Sequence, residues 1–439
     1  VTMSATAHRG DSRAPSTRNR LIGIDIARFI AVLGMFNIHF GVPFVDGLAE
    51  VKAAQFSSGR STALFTLLAG VSLALLSGRQ EPPTGIALRQ ARWRIAVRAA
   101  LLVVIGIVLA KATEATGFLL TVIIPFYGMY FLLSLPFVGL RSRGLLVAAG
   151  TAAVLGPQLS FVLRSWIERT PAAQGAVDAI NSVDPGHLLA DAGVLDLLLM
   201  DFYPAASYLA LVLAGMAIGR MDLRSNRVRW GLGVAGLVVS TATYALSGWL
   251  VQLVGGVPDV LIEGTVPVEH PEFLLATISH SGSTFELLGS GGIAVVILAV
   301  CLLLADRAGR VLKPLATAGS MALTLYALHA IVMAWQIVVG GWTLSGAPEF
   351  LEELASMGPA LPDEPDMPAF PRDGHRPEGV VAFVNTYMPE LFLVFSVLFA
   401  VVWRRFFQRG PLEALVSNTV RRVTEPLFRA TAEKADRSR

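Results

Sequence analysis

Charge is scarce in this sequence. Only 15% of its 439 residues are Asp, Glu, Lys or Arg, where a soluble domain carries about 25%. Set against 54% hydrophobic residues and a mean hydropathy of +0.61, that deficit excludes an ordinary water-soluble globule. Cysteine is nearly missing. The single Cys301 lies inside an apolar block, which excludes an intramolecular disulfide and a cysteine-built metal site and leaves a small packed residue. Lysine is rare and arginine carries almost all the positive charge. This is the coding bias of a GC-rich genome, such as an actinobacterial one, and it has no chemical content. No Gly-rich phosphate loop, HExxH helix or GxSxG elbow is present, and no metal is expected. No internal repeat is visible, which weakens an inverted-repeat transporter architecture. Residues 1–20 are polar and rich in Arg and Ser, with no apolar core before a small-residue cleavage site. They read as a disordered cytoplasmic N-terminus rather than a signal peptide.

What the chain has instead is apolar runs, each of a length to cross a bilayer, which takes about 20 residues per helix. Ten are expected, at 21–43, 60–77, 95–112, 118–138, 144–163, 196–219, 229–252, 285–305, 313–340 and 388–407. The fourth contains Pro125 and Pro136. It reads as a kinked helix or two half-helices, so nine and eleven spans stay open. The fold class is all-α, a polytopic transmembrane helical bundle.

The loops alternate in charge. Basic clusters fall at Arg9–Arg20, Arg79–Arg98, Arg141–Arg143, Arg220–Arg229 and Arg307–Lys313, and again in 408–439. Basic residues stay inside during insertion, so this pattern puts both termini in the cytoplasm and makes 408–439 a basic cytoplasmic tail. The intervening long loops, 164–195, 253–284 and 341–387, are acidic and outer, and the last is rich in Pro, Asp and Glu. The expected location is a bacterial plasma membrane, with one transmembrane domain over 21–407. The basic residues flank spans, so a nucleic-acid role has no support. Gly70, Gly215 and Gly219 read as close-packing positions, and such small residues would permit a homodimer.

Ionisable residues inside a membrane mark function by default. The first run holds Asp25, Arg28 and His39. On a helix, Arg28 and His39 lie at about 300° and 320° from Asp25, and His39 is about 16 Å farther along. One stripe therefore carries an ion pair near the inside and an imidazole near the outside, while Asn37 faces elsewhere. An anionic ligand at the cationic end and proton transfer at the imidazole would follow. The plainer reading is a structural pair with a hydrogen-bonded core histidine. In the ninth run Tyr326, His329 and Gln336 also share a face, and His329 is read evenly as interhelical glue or as function. His280, in His280-Ser281-Gly282-Ser283, could line an outer acceptor site or be an ordinary loop residue. Arg60 is a snorkelling anchor or a binder of carboxylate or phosphate. His8, His187, His270 and His375 receive no role.

These residues bring a family into view. Arg20-Leu21-Ile22-Gly23-Ile24-Asp25-Ile26-Ala27-Arg28, followed by Ala31-Val32-Leu33-Gly34-Met35, resembles the opening signature of YeiB-like membrane proteins. These are bacterial relatives of heparan-α-glucosaminide N-acetyltransferase in a transmembrane acyltransferase superfamily. Leu64-Phe65 with Leu68-Ala69-Gly70-Val71-Ser72, Tyr203-Pro204 with Ala214 to Arg220, Leu323 to His329 and Arg409-Gly410-Pro411-Leu412-Glu413 fit later family patterns. The resemblance runs from about 20 to 415. Phe29 stands where the family has Gly, and His39 where the eukaryotic enzyme has Asn, with no later His before the second run. The family's catalytic role then falls to His39, or is supplied by His280 or His329.

The resemblance implies acyl transfer across the membrane. Acyl-CoA, with acetyl-CoA as the first candidate, would be the donor, bound through Asp25, Arg28, Arg60, Tyr326 and Gln336 and the basic loop 79–98. His39 would be general base on an acceptor from outside, or form an acyl-imidazole. Since the outer face is acidic, a neutral or amino-sugar glycan or a glycolipid suits better than a polyanion. Membrane lipid is the remaining partner. Two other readings stay open: a proton-coupled transporter or exporter of a small envelope metabolite, and a non-catalytic partner in an envelope-biosynthesis complex.

Overall fold

The computed structural model describes residues 21–40, 52–53, 56–115, 121–200, 202–258, 264–339 and 379–437. Every regular element among them is helical. In chain order the α-helices are α1 (Ile22–Phe40), α2 (Arg60–Leu76), α3 (Gly85–Glu114), α4 (Ile124–Ser134), α5 (Ser142–Arg169), α6 (Pro171–Asn181), α7 (Pro185–Ala190) and α8 (Val194–Leu199). They continue with α9 (Ala205–Gly219), α10 (Asn226–Leu253), α11 (Thr284–Ala308), α12 (Lys313–Gly319), α13 (Ala322–Val339), α14 (Gly379–Thr386), α15 (Met388–Phe406) and α16 (Pro411–Arg437). Five of them, α1, α3, α5, α10 and α11, are long and apolar enough to cross a membrane, and α12 with α13 makes a sixth, bent by 74°. The shorter apolar α2, α4 and α9, with α15, fall on the other apolar runs of the sequence. The chain is a multi-pass helical membrane protein.

Burial sorts the helices into an inner and an outer set. α9 is buried nearly all round, from Ala205 to Gly219, and it packs against α2, α4 and α5. α3, α5 and α10 bury only a strip and leave Val104, Val108, Leu159, Val162 and Val238 more than half exposed. Apolar residues turned outward along whole helices suit lipid, not water. Small residues let the inner helices touch. A Cβ on Gly70 would collide with the Val212 carbonyl, and one on Gly215 with the Leu67 carbonyl. The packing role read for these glycines is therefore met at the α2–α9 crossing.

Three runs fold differently from expectation. Pro125 opens α4 near its N-terminus instead of kinking a longer helix, and the stretch Leu135–Gly139, with Pro136, tightens into a 3-10 turn. A proline is tolerated in a first turn because its missing N–H would be unpaired there anyway. The run 196–219 is two helices, α8 and α9, parted before Pro204. The Tyr130 hydroxyl donates to the freed Tyr203 carbonyl at 2.9 Å. The run 313–340 breaks between Gly319 and Ala322. The unpaired N–H groups at the start of α13 are met by Glu413 of α16, which accepts from Leu323 N at 2.8 Å, Thr324 N at 3.2 Å and Thr324 Oγ1 at 2.6 Å. A broken span needs such partners, because lipid offers none.

Two segments read as a tail and a loop contain helices. The tail after 408 is α16, which packs on α3 and α13 and buries Val416, Val420 and Thr424. Segment 164–195 contains α6 and α7. Next to them His187 Nδ1 lies 2.7 Å from Asp196 Oδ2, and Asp196 also accepts the Gly193 N–H at 2.9 Å. The bond to Asp196 raises the His187 pKa. The pair's contribution is therefore whole below the ordinary imidazole range and is lost as pH rises through the raised value. Amide exchange over 184–199, corrected for intrinsic rate, is expected to quicken on crossing that range. His187→Gln should abolish the pH step; an identical step in that variant would remove His187 as its source. Residues 1–20 and most of loop 341–387 lie outside the described residues.

Candidate functional site

A cavity of about 450 Å³ opens between α1, α2, α3, α4, α13 and α16. That volume is within the range of small-molecule sites. Its walls are mostly apolar, with Phe65, Leu68, Leu102, Ile124 and Phe131 among them, and its polar groups include Arg28, Arg98, Ser72, Tyr127, Tyr326 and Glu413. Arg28, in the second turn of α1, donates to Asp25 Oδ1 at 2.9 Å and to Ser72 Oγ at 2.6 Å. Asp25 is 3% exposed. Arg98 lies within Coulombic reach of Arg409 and Arg28. Three guanidinium groups thus gather at the end where the basic clusters lie, and one buried carboxylate pairs with one of them.

Tyr326 links this cavity to the histidines. It lines the cavity, its hydroxyl accepts the Ile123 N–H at 3.1 Å, and its ring meets His329 edge-on at 4.8 Å between centroids. His329, in turn, stacks on His39 from the last turn of α1, with centroids 5.3 Å apart and 15° between planes. The Nδ1 of His329 bonds the Tyr326 carbonyl. A carbonyl only accepts, so Nδ1 carries the proton and Nε2 of the neutral ring holds the lone pair. His329 is fully buried. Its Nε2, together with His39 Nδ1 and His280 Nδ1, has no hydrogen-bond partner among the described residues.

His280 sits in the loop before α11 with a left-handed backbone, φ 66°. Its ring meets Tyr203 and Phe202 edge-on at 5.2 and 5.8 Å, and it lies within electrostatic reach of His39. At the end of α1 remote from Arg28, His39 thus has His329 stacked on it and His280 within electrostatic reach. Among the described residues no group of three or more His, Cys, Asp or Glu is placed to hold a metal ion.

Of the residues singled out in the sequence, Asp25, Arg28 and Tyr326 meet at the cavity, and His39, His329 and His280 gather beyond it. Asn37 faces away as expected, donating to Ser57 Oγ at 3.4 Å. Arg60 stands apart from the cavity. It donates to Tyr244 Oη at 3.1 Å and to the Phe56 carbonyl at 3.0 Å, with its guanidinium 4.8 Å from the Phe56 ring centroid. Arg60 also lies within electrostatic reach of the buried Glu286. The side chain of Gln336 lies outside the described residues. Arg98 entered the sequence reading only as part of the basic loop 79–98, and that reading missed Glu413 as a wall and cap, and Glu286. Glu286 left one signal, a carboxylate three residues after Ser283 at the head of an apolar run.

A bundle of lipid-facing helices around an arginine-rimmed apolar cavity that leads to paired imidazoles defines a membrane-embedded enzyme-like site. Residues 20–244 match the family described as heparan-alpha-glucosaminide N-acetyltransferase, catalytic. The match covers half of the chain, which belongs to that family of membrane acetyltransferases. No curated protein matches the sequence. The matched segment holds Asp25, Arg28, His39 and Arg98, while His280, Tyr326, His329 and Glu413 come from the part beyond it.

Proposed function

We propose that this protein transfers an acyl group, acetyl in the first instance, from acyl-CoA bound on the cytoplasmic side to an extracytoplasmic glycan or glycolipid. One observation carries the reading: an unbroken line from Arg28 and Arg98 through Tyr326 to the His329–His39 stack. Arginine suits phosphate because its planar fork of donors matches phosphate oxygens. The nucleotide end of the donor engages Arg28, Arg98 and Arg409, and the pantetheine arm follows the apolar walls toward Tyr326.

His39 then acts as general base. Its ring nitrogen takes the proton of the acceptor hydroxyl or amine as the oxygen or nitrogen attacks the thioester carbonyl. The new C–O or C–N bond forms, the C–S bond breaks, and the thiolate leaves with the proton that the imidazolium returns. A neutral or amino-sugar acceptor fits the acidic outer loops. The protein would sit in a bacterial plasma membrane with both termini in the cytoplasm, and the small-residue faces would permit a homodimer.

The test is donor engagement by the purified, detergent-solubilised chain. A ligand that binds only the folded state at about 100 times its Kd stabilises it by about 2.7 kcal/mol. Acetyl-CoA should therefore raise the unfolding temperature and undergo slow thioester hydrolysis. If acyl-CoAs of several lengths neither stabilise the chain nor are hydrolysed, the acyl-transfer reading fails and transport of a small metabolite becomes the better one.

A further inference from the structure

The buried carboxylate of Glu286 has no part in the line from Arg28 to His39. It lies in the first turn of α11 and is 1% exposed. The sequence pattern Ser283-x-x-Glu286 is that of a capping box, in which the glutamate reaches back to the backbone N–H of the capping residue. Half of that box is present: Ser283 Oγ accepts the Glu286 N–H at 3.0 Å. The other half is diverted. The Ser283 N–H goes to Ser281 Oγ at 3.3 Å, and the Glu286 carboxylate faces the Gly282 and His280 backbone N–H groups instead. Tyr208 of α9 adds its hydroxyl at 3.2 and 3.4 Å from the two carboxylate oxygens.

Both backbone groups that Glu286 faces are in left-handed conformations, Gly282 at φ 65° and His280 at φ 66°. For glycine that costs nothing, whereas a residue with a Cβ resists it and needs surroundings that over-determine it. The carboxylate supplies that constraint for His280. With the backbone so held, the ring is turned onto Tyr203 and Phe202 at the α8–α9 break and into reach of His39. We infer that Glu286 is the positioning residue for His280, fixing the strained 280–283 turn through its backbone N–H groups so that the imidazole faces the His39 centre. The inference deepens the acyl-transfer reading, and its kinetic arm rests on that reading.

The experiment uses the full chain in detergent with Glu286→Ala, Glu286→Gln, His280→Ala and the Glu286→Ala/His280→Ala double variant. Glutamine keeps an oxygen for the two N–H groups, and alanine removes it. The first readout is independent of chemistry: the rate at which diethylpyrocarbonate modifies His280, followed by peptide mass spectrometry with His187 as internal reference. Glu286→Ala should change the His280 rate severalfold, and Glu286→Gln should leave it at the wild-type value. The second readout is acetyl-CoA hydrolysis. Glu286→Ala and His280→Ala should each lower it about tenfold and the double variant no further, because groups acting as one unit are not additive. Additive losses, or an unchanged His280 rate in Glu286→Ala, would overturn the inference. So would a Glu286→Gln rate displaced as far as alanine's, a comparison that stands even if Glu286→Ala does not fold. If wild type hydrolyses no acyl-CoA, the acyl-transfer reading falls while the modification rates still decide the positioning role.

Discussion

Arg28→Ala is expected to abolish stabilisation by acetyl-CoA and at the same time to weaken the protein without ligand. The two effects have separate causes. Arg28 lines the cavity, and a hydrogen bond to a charged group contributes about 1.5–3 kcal/mol. Losing one or two such bonds to a phosphate weakens binding by at least about tenfold, since each factor of ten is about 1.4 kcal/mol. The same truncation takes from the nearly fully buried Asp25 the guanidinium that lies 2.9 Å away. Breaking a buried pair by removing one partner costs about 3–5 kcal/mol, although the 28% exposure of the Arg28 side chain puts the expected loss at the low end of that range.

Arg98→Ala separates the terms. Arg98 lines the same cavity within reach of two other arginines, so its removal relieves like-charge repulsion in the free protein. Its unfolding temperature without ligand should stay near wild type while the acetyl-CoA-induced rise shrinks. Thermal unfolding with and without acetyl-CoA checks both variants. A full ligand-induced rise in both would show that neither arginine holds the donor.

The order of helices was legible in the sequence because each apolar run in a bilayer must close its own backbone hydrogen bonds, and only a helix does so. The polar stripe on α1 was legible for a similar reason: helical geometry alone puts Arg28 and His39 on one face, and α13 receives that face at both ends through Tyr326 and His329. The breaks were less visible. In the run 313–340 nothing local distinguishes a continuous helix from two half-helices. What permits the break is Glu413, ninety residues farther along. Its motif, Arg409-Gly410-Pro411-Leu412-Glu413, carried part of the family resemblance, but a cap supplied from a distant helix leaves no local pattern.

Arg98 was only partly visible. It read as one arginine of a basic loop 79–98 suited to phosphates, yet α3 begins at Gly85 and carries Arg98 well into the helix, facing the cavity. Glu286 stands at capping-box spacing from Ser283 and received no role in the sequence reading. Only the three-dimensional placement of Gly282, His280 and Tyr208 around its carboxylate sets it apart. The Asp25–Arg28 pair, three residues apart on one helix, could be seen in the sequence, whereas the surroundings of Glu286 and Glu413 are assembled from other helices and leave no local pattern.

The largest loss of activity is expected from His39→Ala. A positioned general base contributes about 10²–10⁴-fold, so hydrolysis or transfer of the acetyl group should fall by at least about a hundredfold while acetyl-CoA still stabilises the variant, because His39 lies about 16 Å along α1 from Arg28. His329→Ala is expected to cost less, about tenfold, by the same scale of proton-transfer effects. His329 is wholly buried, so an acceptor arriving from outside meets the half-buried His39 first, and His329 acts by stacking on that ring. The comparison is decisive in either direction. His329 presents its Nε2 lone pair with its Nδ1 proton held by the Tyr326 carbonyl, which is the tautomer a base requires. If His329→Ala shows the larger loss and His39→Ala the smaller, the base lies one ring further inward, directly beyond Tyr326, and His39 becomes the group that admits the acceptor. If both variants keep wild-type rates, the imidazole pair is structural and the proton must leave by another group.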